Sequence, residues 1–424
     1  MVRYCDIKPL ISHKSKSKWW CEQGDKMIKW QTLQWNGPKF PPEYEPLNIN
    51  VIYNGQNIKL DSVNTDNDFN VTAEEAAYFY AYDLWNDQDK KSKRTKGHVD
   101  KKDDNIYKSN FWKDWKIILG KNHIIKKFEN VDFSPIIEYI AQKKVIDADN
   151  RKKLTKEEKA AEKEKKKQID SIYASVLIDG ILIKVGGYIQ PPMLFKGRGQ
   201  HPLRGHIKKR IRPSDVTINV SEECVPRCIV NKQECKWGNI VTNNSIEWIA
   251  MWDNPIFPKK KVTIGLNRSD SINVCKNDMS KFDEVRKLHD NIDNIRAMYM
   301  KDLKEDKEVA VAVYLLDRLA IRPGKPQNIE EANTVGLTTL TCDHVTFNGK
   351  NVITFDFAAK DSIIFKEDVE VIPEVYKFLY KRCNKFKTTE LFPDVTPQVL
   401  NNYLKTLMPG IKAKMFRTMT ASLL

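Results

Sequence analysis

Three cationic side chains occupy places where cations are unusual. Arg322 follows the apolar helical run VAVAVYLLDRLAI and precedes Pro323 and Gly324. Lys360 sits between two strand-like runs in FDFAAKDSIIF, and Arg417 lies in the half-apolar segment IKAKMFRTMTASLL, whose pattern reads it as buried. Each has an ordinary explanation. An arginine closing a helix complements the dipole, a lysine at a hairpin tip is solvated, and a buried arginine pairs with a carboxylate. Together they suit a phosphodiester. Two guanidiniums hold the non-bridging oxygens of a phosphate and neutralise the charge that builds in a pentacoordinate transition state. A nearby ammonium gives a proton to the departing 5′ oxygen, which a guanidinium does not. No acidic metal-ligand cluster stands out, so the expected site needs neither a metal nor a cofactor.

A second concentration of charge is KGRGQHPLRGHIKKRIR, residues 196–212, in which nine of seventeen residues are Lys, Arg or His. Lys196, His201, Arg204, Lys208, Lys209 and Arg210 are candidate phosphate contacts, and the glycines allow close backbone approach. The alternative is a plain solvated loop. Across all 424 residues, 71 Lys and Arg against 56 Asp and Glu leave a net charge of +15. That favours a polyanionic partner, nucleic acid first, over a membrane surface or a ribosome-associated role. The N-terminus lacks the apolar core of a signal peptide, and no stretch has the roughly 18 apolar residues of a membrane span. Eight scattered cysteines suit a reducing compartment. Cys224, Cys228 and Cys235, with His201 and His206 as possible partners, make a weak zinc signal; a loop with free thiols is the preferred reading.

The elements that position these residues follow from pattern. The segment KWWCEQGDKMIKWQTLQWNGPKFPPEYEP is rich in Trp, Pro and Gly and predicts an irregular packed layer. Asn54-Gly55 predicts a hairpin. Thr72 and Glu75 predict the start of a helix through TAEEAAYFYAYDLW, and Thr155 and Glu158 give the same spacing within a charged helix over 151–170. Residues 87–105 read as a solvated loop, and its KKSKRTK at 90–96 matches a nuclear localisation pattern. Short β-branched runs predict strands from about 176 to 265. From Lys281 the period turns helical, with Val285, Leu288, Ile292, Ile295 and Met298 on one stripe. A helix must stop at Arg322-Pro323-Gly324, Asn348-Gly349 predicts a second hairpin, SIIF a strand, and helices follow.

The stretches KWQTLQWNGPKFPPEYEP, FWKDWK, PPMLFKGRGQHPLRGHIKKRI, LAIRPG, TVG, FDFAAKDSI and AKMFRT occur in that order over most of the chain. In this the sequence resembles the eukaryotic type IB DNA topoisomerases. The resemblance implies that Arg322 and Arg417 grip the scissile phosphate and that Lys360 is the general acid. It places Phe195, Gly197 and Arg198 against DNA near the cut, and turns Asp361 toward the cleavage site. It also implies an ATP- and metal-independent nicking and religation of one strand through a 3′-phosphotyrosine.

That family carries a phosphate-binding histidine and a nucleophilic tyrosine beyond the second arginine. Here the last histidine is His344 and the last tyrosine Tyr403. The covalent route needs that hydroxyl. The expectation is therefore an incomplete centre: a truncated product, one piece of a split enzyme whose tyrosine comes from a second chain, or a non-catalytic duplex clamp. Beside the clamps, RTMTAS stands for the family's RTYNAS, Pro323 for an alanine and Lys325 for an asparagine. The expected fold is α+β and the expected location nuclear. Residues 1–17 form an extension. Residues 18–267 form a DNA-binding core of two mixed subdomains, the second spanning about 45–165. Residues 268–424 form a mainly helical catalytic subdomain of the kind tyrosine recombinases share, and the two parts clamp duplex DNA.

Overall fold

The computed structural model describes residues 4–12, 28–89, 104–199, 201–257, 259–266, 272–324, 334–385 and 389–423. Helices and strands are mixed throughout, as an α+β protein requires. The chain divides into two compact units, Met1–Lys196 with Leu203–Lys276, and Gly197–Pro202 with Asn277–Leu424. The tip of the basic loop is thus counted with the second unit.

The first unit holds two separate cores. One gathers helices α1 (Ala73–Asp89), α2 (Asn105–Leu119) and α3 (Ser134–Lys153) around the hairpin Val51–Tyr53 and Gln56–Ile58. The hairpin turn is the one Asn54-Gly55 dictates, with φ of 50° and 78° at the two residues. Aromatic rings fill this core. Tyr80 stacks on Phe111 at 4.5 Å, and Trp115 sits against both Phe111 and Phe133. Burying each large side chain stabilises the fold by about 1.5–3 kcal/mol. Leu194 and Ile207 also belong to this cluster, so the strands Met193–Leu194 and Ile207–Lys208 root the basic loop in it.

The other core lies among strands. The four-stranded sheet runs in the order Asn239–Val241, Thr217–Asn219, Trp248–Asp253, Lys261–Gly265. A three-stranded sheet of Leu33–Trp35, Ser175–Ile178 and Ile181–Lys184 contributes Leu33, Trp35 and Val176 to the same cluster. The charged helix α4 (Lys156–Tyr173) starts at a complete capping box: Thr155 accepts from the Glu158 N–H at 3.1 Å, and Glu158 accepts from the Thr155 N–H at 2.8 Å. Residues 151–153, expected in this helix, end α3 instead. At α1 the cap is one-sided. Thr72 accepts from the Glu75 N–H at 3.1 Å, but the Glu75 carboxylate is turned to Arg210.

In the second unit, α5 (Ile272–Asp290) and α6 (Ile292–Leu303) break at Asn291. The apolar stripe runs through the break in phase. Val285, Leu288, Ile292 and Ile295 are buried as expected, but Tyr299 takes the next core position and Met298 is 38% exposed. α7 (Glu308–Leu319) is apolar almost all round, with Ala310 to Val313, Leu315 and Leu316 buried, which makes it the central helix. The antiparallel strands Val345–Phe347, Val352–Ala358 and Ile364–Glu370 form its sheet. α8 (Pro373–Lys385), α9 (Pro397–Leu407) and α10 (Ala413–Leu423) complete the unit, and α9 and α10 pack on α7.

One expectation about cysteine needs correction, that Cys224 is a free thiol. Cys5 pairs with Cys224, and Cys342 with Cys383, each with Cα atoms 5.4 Å apart. These pairings join residues 219 and 41 positions apart, a non-local fact that spacing does not reveal. Cys228 and Cys235 are free thiols facing each other across a two-stranded ribbon, and burial pushes the Cys228 thiol up to about 12. Among the described residues no group of three or more His, Cys, Asp or Glu is placed to hold a metal ion. No described helix is long and apolar enough to cross a membrane. The KKSKRTK pattern, Lys325, Trp19 and Trp20 lie outside the described residues.

Candidate phosphate site and nucleic-acid interface

The second unit brings the three cations onto connected elements. α7 ends at Ala320, whose left-handed backbone (φ 50°) lets its N–H bond the Leu316 carbonyl at 3.1 Å. Ile321 then turns inward, and Arg322 follows on a loop. That loop is fixed by its backbone. The Arg322 carbonyl accepts from the Leu337 N–H at 2.8 Å, and the Pro323 carbonyl accepts from the Thr338 N–H at 2.7 Å. The same strap reaches the lysine's hairpin, because the Val335 N–H donates to Ala358 at 2.8 Å.

Lys360 stands on the turn between Val352–Ala358 and Ile364–Glu370, exposed. The Ala359 N–H donates to Ile363 at 2.8 Å, and Ser362 adopts φ 60° to close the turn. Asp361 lies in the same turn. Arg417 is on α10, whose Ala413, Met415, Phe416 and Met419 are buried. The arginine itself is exposed, which corrects the expectation that it is buried. Residues 413, 416 and 419 recur every three positions toward the core, and 417 falls on the other face. The Ala413 N–H bonds Asn401 at 3.0 Å and so fixes where α10 begins.

The electrostatics divide the cations of this unit into paired and unpaired groups. In the second unit Arg286, Arg296 and Arg382 hold Asp283, Asp317 and Glu308, and Lys307 and Lys366 hold Asp302 and Asp356. Among the described residues no carboxylate or hydrogen-bond partner engages the side chains of Arg322, Lys360 or Arg417; exposed Arg318 and surface lysines such as Lys350, Lys405 and Lys414 share that condition. Uncompensated cations on one unit are poised for an anion from outside.

The sequence reading missed the crossing of two glycines that holds Arg322 in place. A Cβ on Gly336 would lie 2.4 Å from Gly324 Cα and 2.9 Å from the Arg322 carbonyl oxygen. Gly336 has φ −129°, a conformation open to any residue, so space alone demands glycine. Gly336→Ala is expected to destabilise the second unit by about 1–3 kcal/mol, read by denaturant unfolding. An unchanged midpoint would show that the strap yields freely and does not fix Arg322. The LAIRPG and TVG motifs that carry the two glycines were visible in the sequence, but not that they meet.

The basic loop divides into outward and inward groups. Arg198 is exposed, and Gly197 and Gly199 have φ of 63° and 55°, a region glycine tolerates best. A Cβ on Gly199 would come within 2.5 Å of Ser362 Oγ, so the tip lies against the lysine's turn. Phe195 and Lys208 are half-buried, and Lys208 Nζ lies 5.7 Å over the Phe195 ring. Lys196 reaches buried Asp83 at 2.8 Å, and Lys209 reaches Asp215 at 3.1 Å. His201 is buried. Two expected phosphate contacts are turned inward. Arg204, buried, forms a two-bond pair with Asp104, and Arg210, also buried, bonds Glu75 at 2.7 Å and the Pro42 carbonyl at 2.8 Å. Their charges are already spent inside the protein, so these two hold the loop's base and do not face a ligand.

A family model described as eukaryotic DNA topoisomerase I, DNA binding fragment, matches residues 28–264, and one described as eukaryotic DNA topoisomerase I, catalytic core, matches residues 269–424. The chain belongs to the eukaryotic DNA topoisomerase I family. DNA topoisomerase 1 beta of Arabidopsis thaliana is 38% identical over 97% of this chain and 42% of its own length. DNA topoisomerase 1 of Candida albicans is 35% identical over 96% of this chain and 50% of its own length. The human protein named DNA topoisomerase I, mitochondrial, is 33% identical over 96% of this chain and 66% of its own length. The chain thus spans about half the length of several topoisomerase relatives it matches. The second match carries Arg322, Lys360 and Arg417, and the first carries the basic loop.

Proposed function

We propose that this chain is the DNA-gripping and phosphate-clamping part of an enzyme that relaxes supercoils by transient cleavage and religation of one strand. The observation that carries this reading is that Arg322, Lys360 and Arg417, held by no carboxylate among the described residues, stand on connected elements of one unit. Arg322 and Arg417 take the non-bridging oxygens of the scissile phosphate, and their charge matches the transition state better than the ground state. Lys360 protonates the departing 5′ oxygen and takes the proton back on religation. A tyrosine hydroxyl outside these 424 residues attacks the phosphorus and remains as the 3′-phosphotyrosine. One phosphodiester replaces another, so the exchange needs no ATP, and the cations supply the neutralisation a metal would otherwise give. The partner is duplex DNA, met by exposed Arg198 and the backbone of Gly197 and Gly199 at the loop tip, with Phe195, Lys196, Lys208, Lys209 and Asp361 as further contacts. A nuclear location follows from that partner.

The test adds a tyrosine-bearing C-terminal family segment to the purified chain and follows plasmid relaxation in EDTA. Relaxation that requires both components supports the proposal. Tight, salt-sensitive duplex binding with no relaxation in any such mixture would leave the second reading, a duplex clamp without catalysis. In either case affinity should fall linearly on a log–log plot against salt, with a slope of about −0.9 per phosphate neutralised. A slope near zero in filter binding would remove DNA as the partner.

A further inference from the structure

In the first unit, a cavity of about 670 Å³ opens between the strands that root the basic loop and the sheet strand Lys261–Gly265. Ligand pockets commonly span roughly 300–1,000 Å³ and combine apolar walls with a few convergent polar groups. This one has both. Phe195 and Phe257 meet edge to face at 5.8 Å, so their rings wall the cavity at right angles. Lys208 Nζ lies 5.7 Å over one ring and Lys260 Nζ 4.9 Å over the other.

The polar groups are unevenly satisfied. Lys209, also at the cavity, has Asp215 at 3.1 Å. Among the described residues Lys208 has only the Gln190 amide oxygen at 3.4 Å and no carboxylate. Burial, and then the neighbouring Lys196, hold its ammonium below the usual lysine range, so its charge is costly until an anion arrives. Asn254 spends its side-chain oxygen on the N–H groups of Ile256 and Phe257, at 2.9 and 3.1 Å, which leaves its NH₂ to donate. A hollow with two ring walls, an amide donor and an ammonium without a counter-ion matches a planar heteroaromatic group that carries a phosphate.

We propose that this cavity binds a nucleotide, with its base against Phe195 and Phe257 within reach of Asn254 and its phosphate at Lys208. It is a site separate from the phosphate clamp, built from none of Arg322, Lys360 or Arg417. The nucleotide has two possible sources with the same chemistry: a free mononucleotide, or one unstacked from a bound strand.

The test is calorimetric titration of the 424-residue chain with AMP. AMP is expected to bind with Kd on the order of 10⁻⁴ M, and adenosine or inorganic phosphate alone at least about tenfold more weakly. Lys208→Met and Phe257→Ala should each weaken AMP at least about tenfold, with thermal melting unchanged. If phosphate alone binds as tightly as AMP, or if AMP binding survives both variants, the inference is wrong. A short duplex added at saturation separates the sources. AMP still bound identifies a free-nucleotide site, and AMP displaced by duplex identifies a strand nucleotide. No cleavage is read here. A chain that relaxes DNA but ignores AMP defeats this inference alone, and one that binds AMP but never relaxes DNA defeats only the proposed function.

Discussion

Lys360→Ala is expected to slow strand cleavage by about 10²–10⁴-fold in the complemented enzyme, with duplex affinity changed little. The reasoning rests on what a departing 5′ alkoxide needs. An alkoxide is a poor leaving group, and a proton delivered as the P–O bond breaks removes that difficulty. An exposed lysine on a tight turn, held by no carboxylate among the described residues, can make that delivery. The guanidiniums of Arg322 and Arg417 are suited to charge neutralisation, since a guanidinium is not a mobile proton donor. This division of labour has a chemical signature. A substrate whose 5′ bridging oxygen is replaced by sulfur expels a thiolate, which needs no proton. Lys360→Ala should therefore cleave the sulfur substrate nearly as fast as the parent does. Arg322→Ala should remain slow on both substrates. If Lys360→Ala is equally impaired on oxygen and sulfur, the lysine positions or neutralises the phosphate and is not the acid.

The sequence made local features legible and left distant partners hidden. The Asn54-Gly55 turn and the Thr155 capping box each depend on residues within four positions, and both form as their chemistry predicts. The three cations were recognisable by type and place, but not their surroundings. Arg417 sits amid apolar letters, and that local density suggested burial. The helix period instead puts Met415, Phe416 and Met419 inside and the arginine outside. Met298 failed for a related reason, since the helix period carries the stripe from Ile295 by four positions to Tyr299 and not by three to Met298. The glycine crossing of Gly324 and Gly336 brings together backbones twelve positions apart, with nothing in either residue to announce the other. The basic loop shows the largest gap. Its charge was read as a single surface, yet the partners of Arg204 and Arg210 lie 100 and 135 positions away.

That gap leads to the second large effect. Arg204→Ala is expected to destabilise the first unit by about 3–5 kcal/mol, the range seen when one member of a buried ion pair is removed. Asp104 keeps only 8% of its side-chain surface exposed. Burial by itself would raise the Asp104 carboxyl, but bonds from the Arg204 guanidinium and the Tyr107 N–H outweigh it and hold the group below its ordinary value. The sign of the linkage follows. A depressed folded-state pKa contributes stability above the unfolded value of about 3.9, and that contribution is lost as pH falls through the folded value. The parent should therefore lose this stabilisation only below about pH 4. Arg204→Ala should lose it already at neutral pH, where the carboxylate is left buried without its cation. Denaturant melts of both proteins at neutral and acid pH read the difference directly. The loop's other basic residues give the contrast. Arg198→Ala should leave the melt unchanged and make the salt dependence of duplex binding shallower by about one unit. Arg204→Ala, compared at a temperature where it stays folded, should leave that slope as it was. A flattened slope with an unchanged melt for Arg204→Ala would return this arginine to the DNA surface and overturn the inward placement.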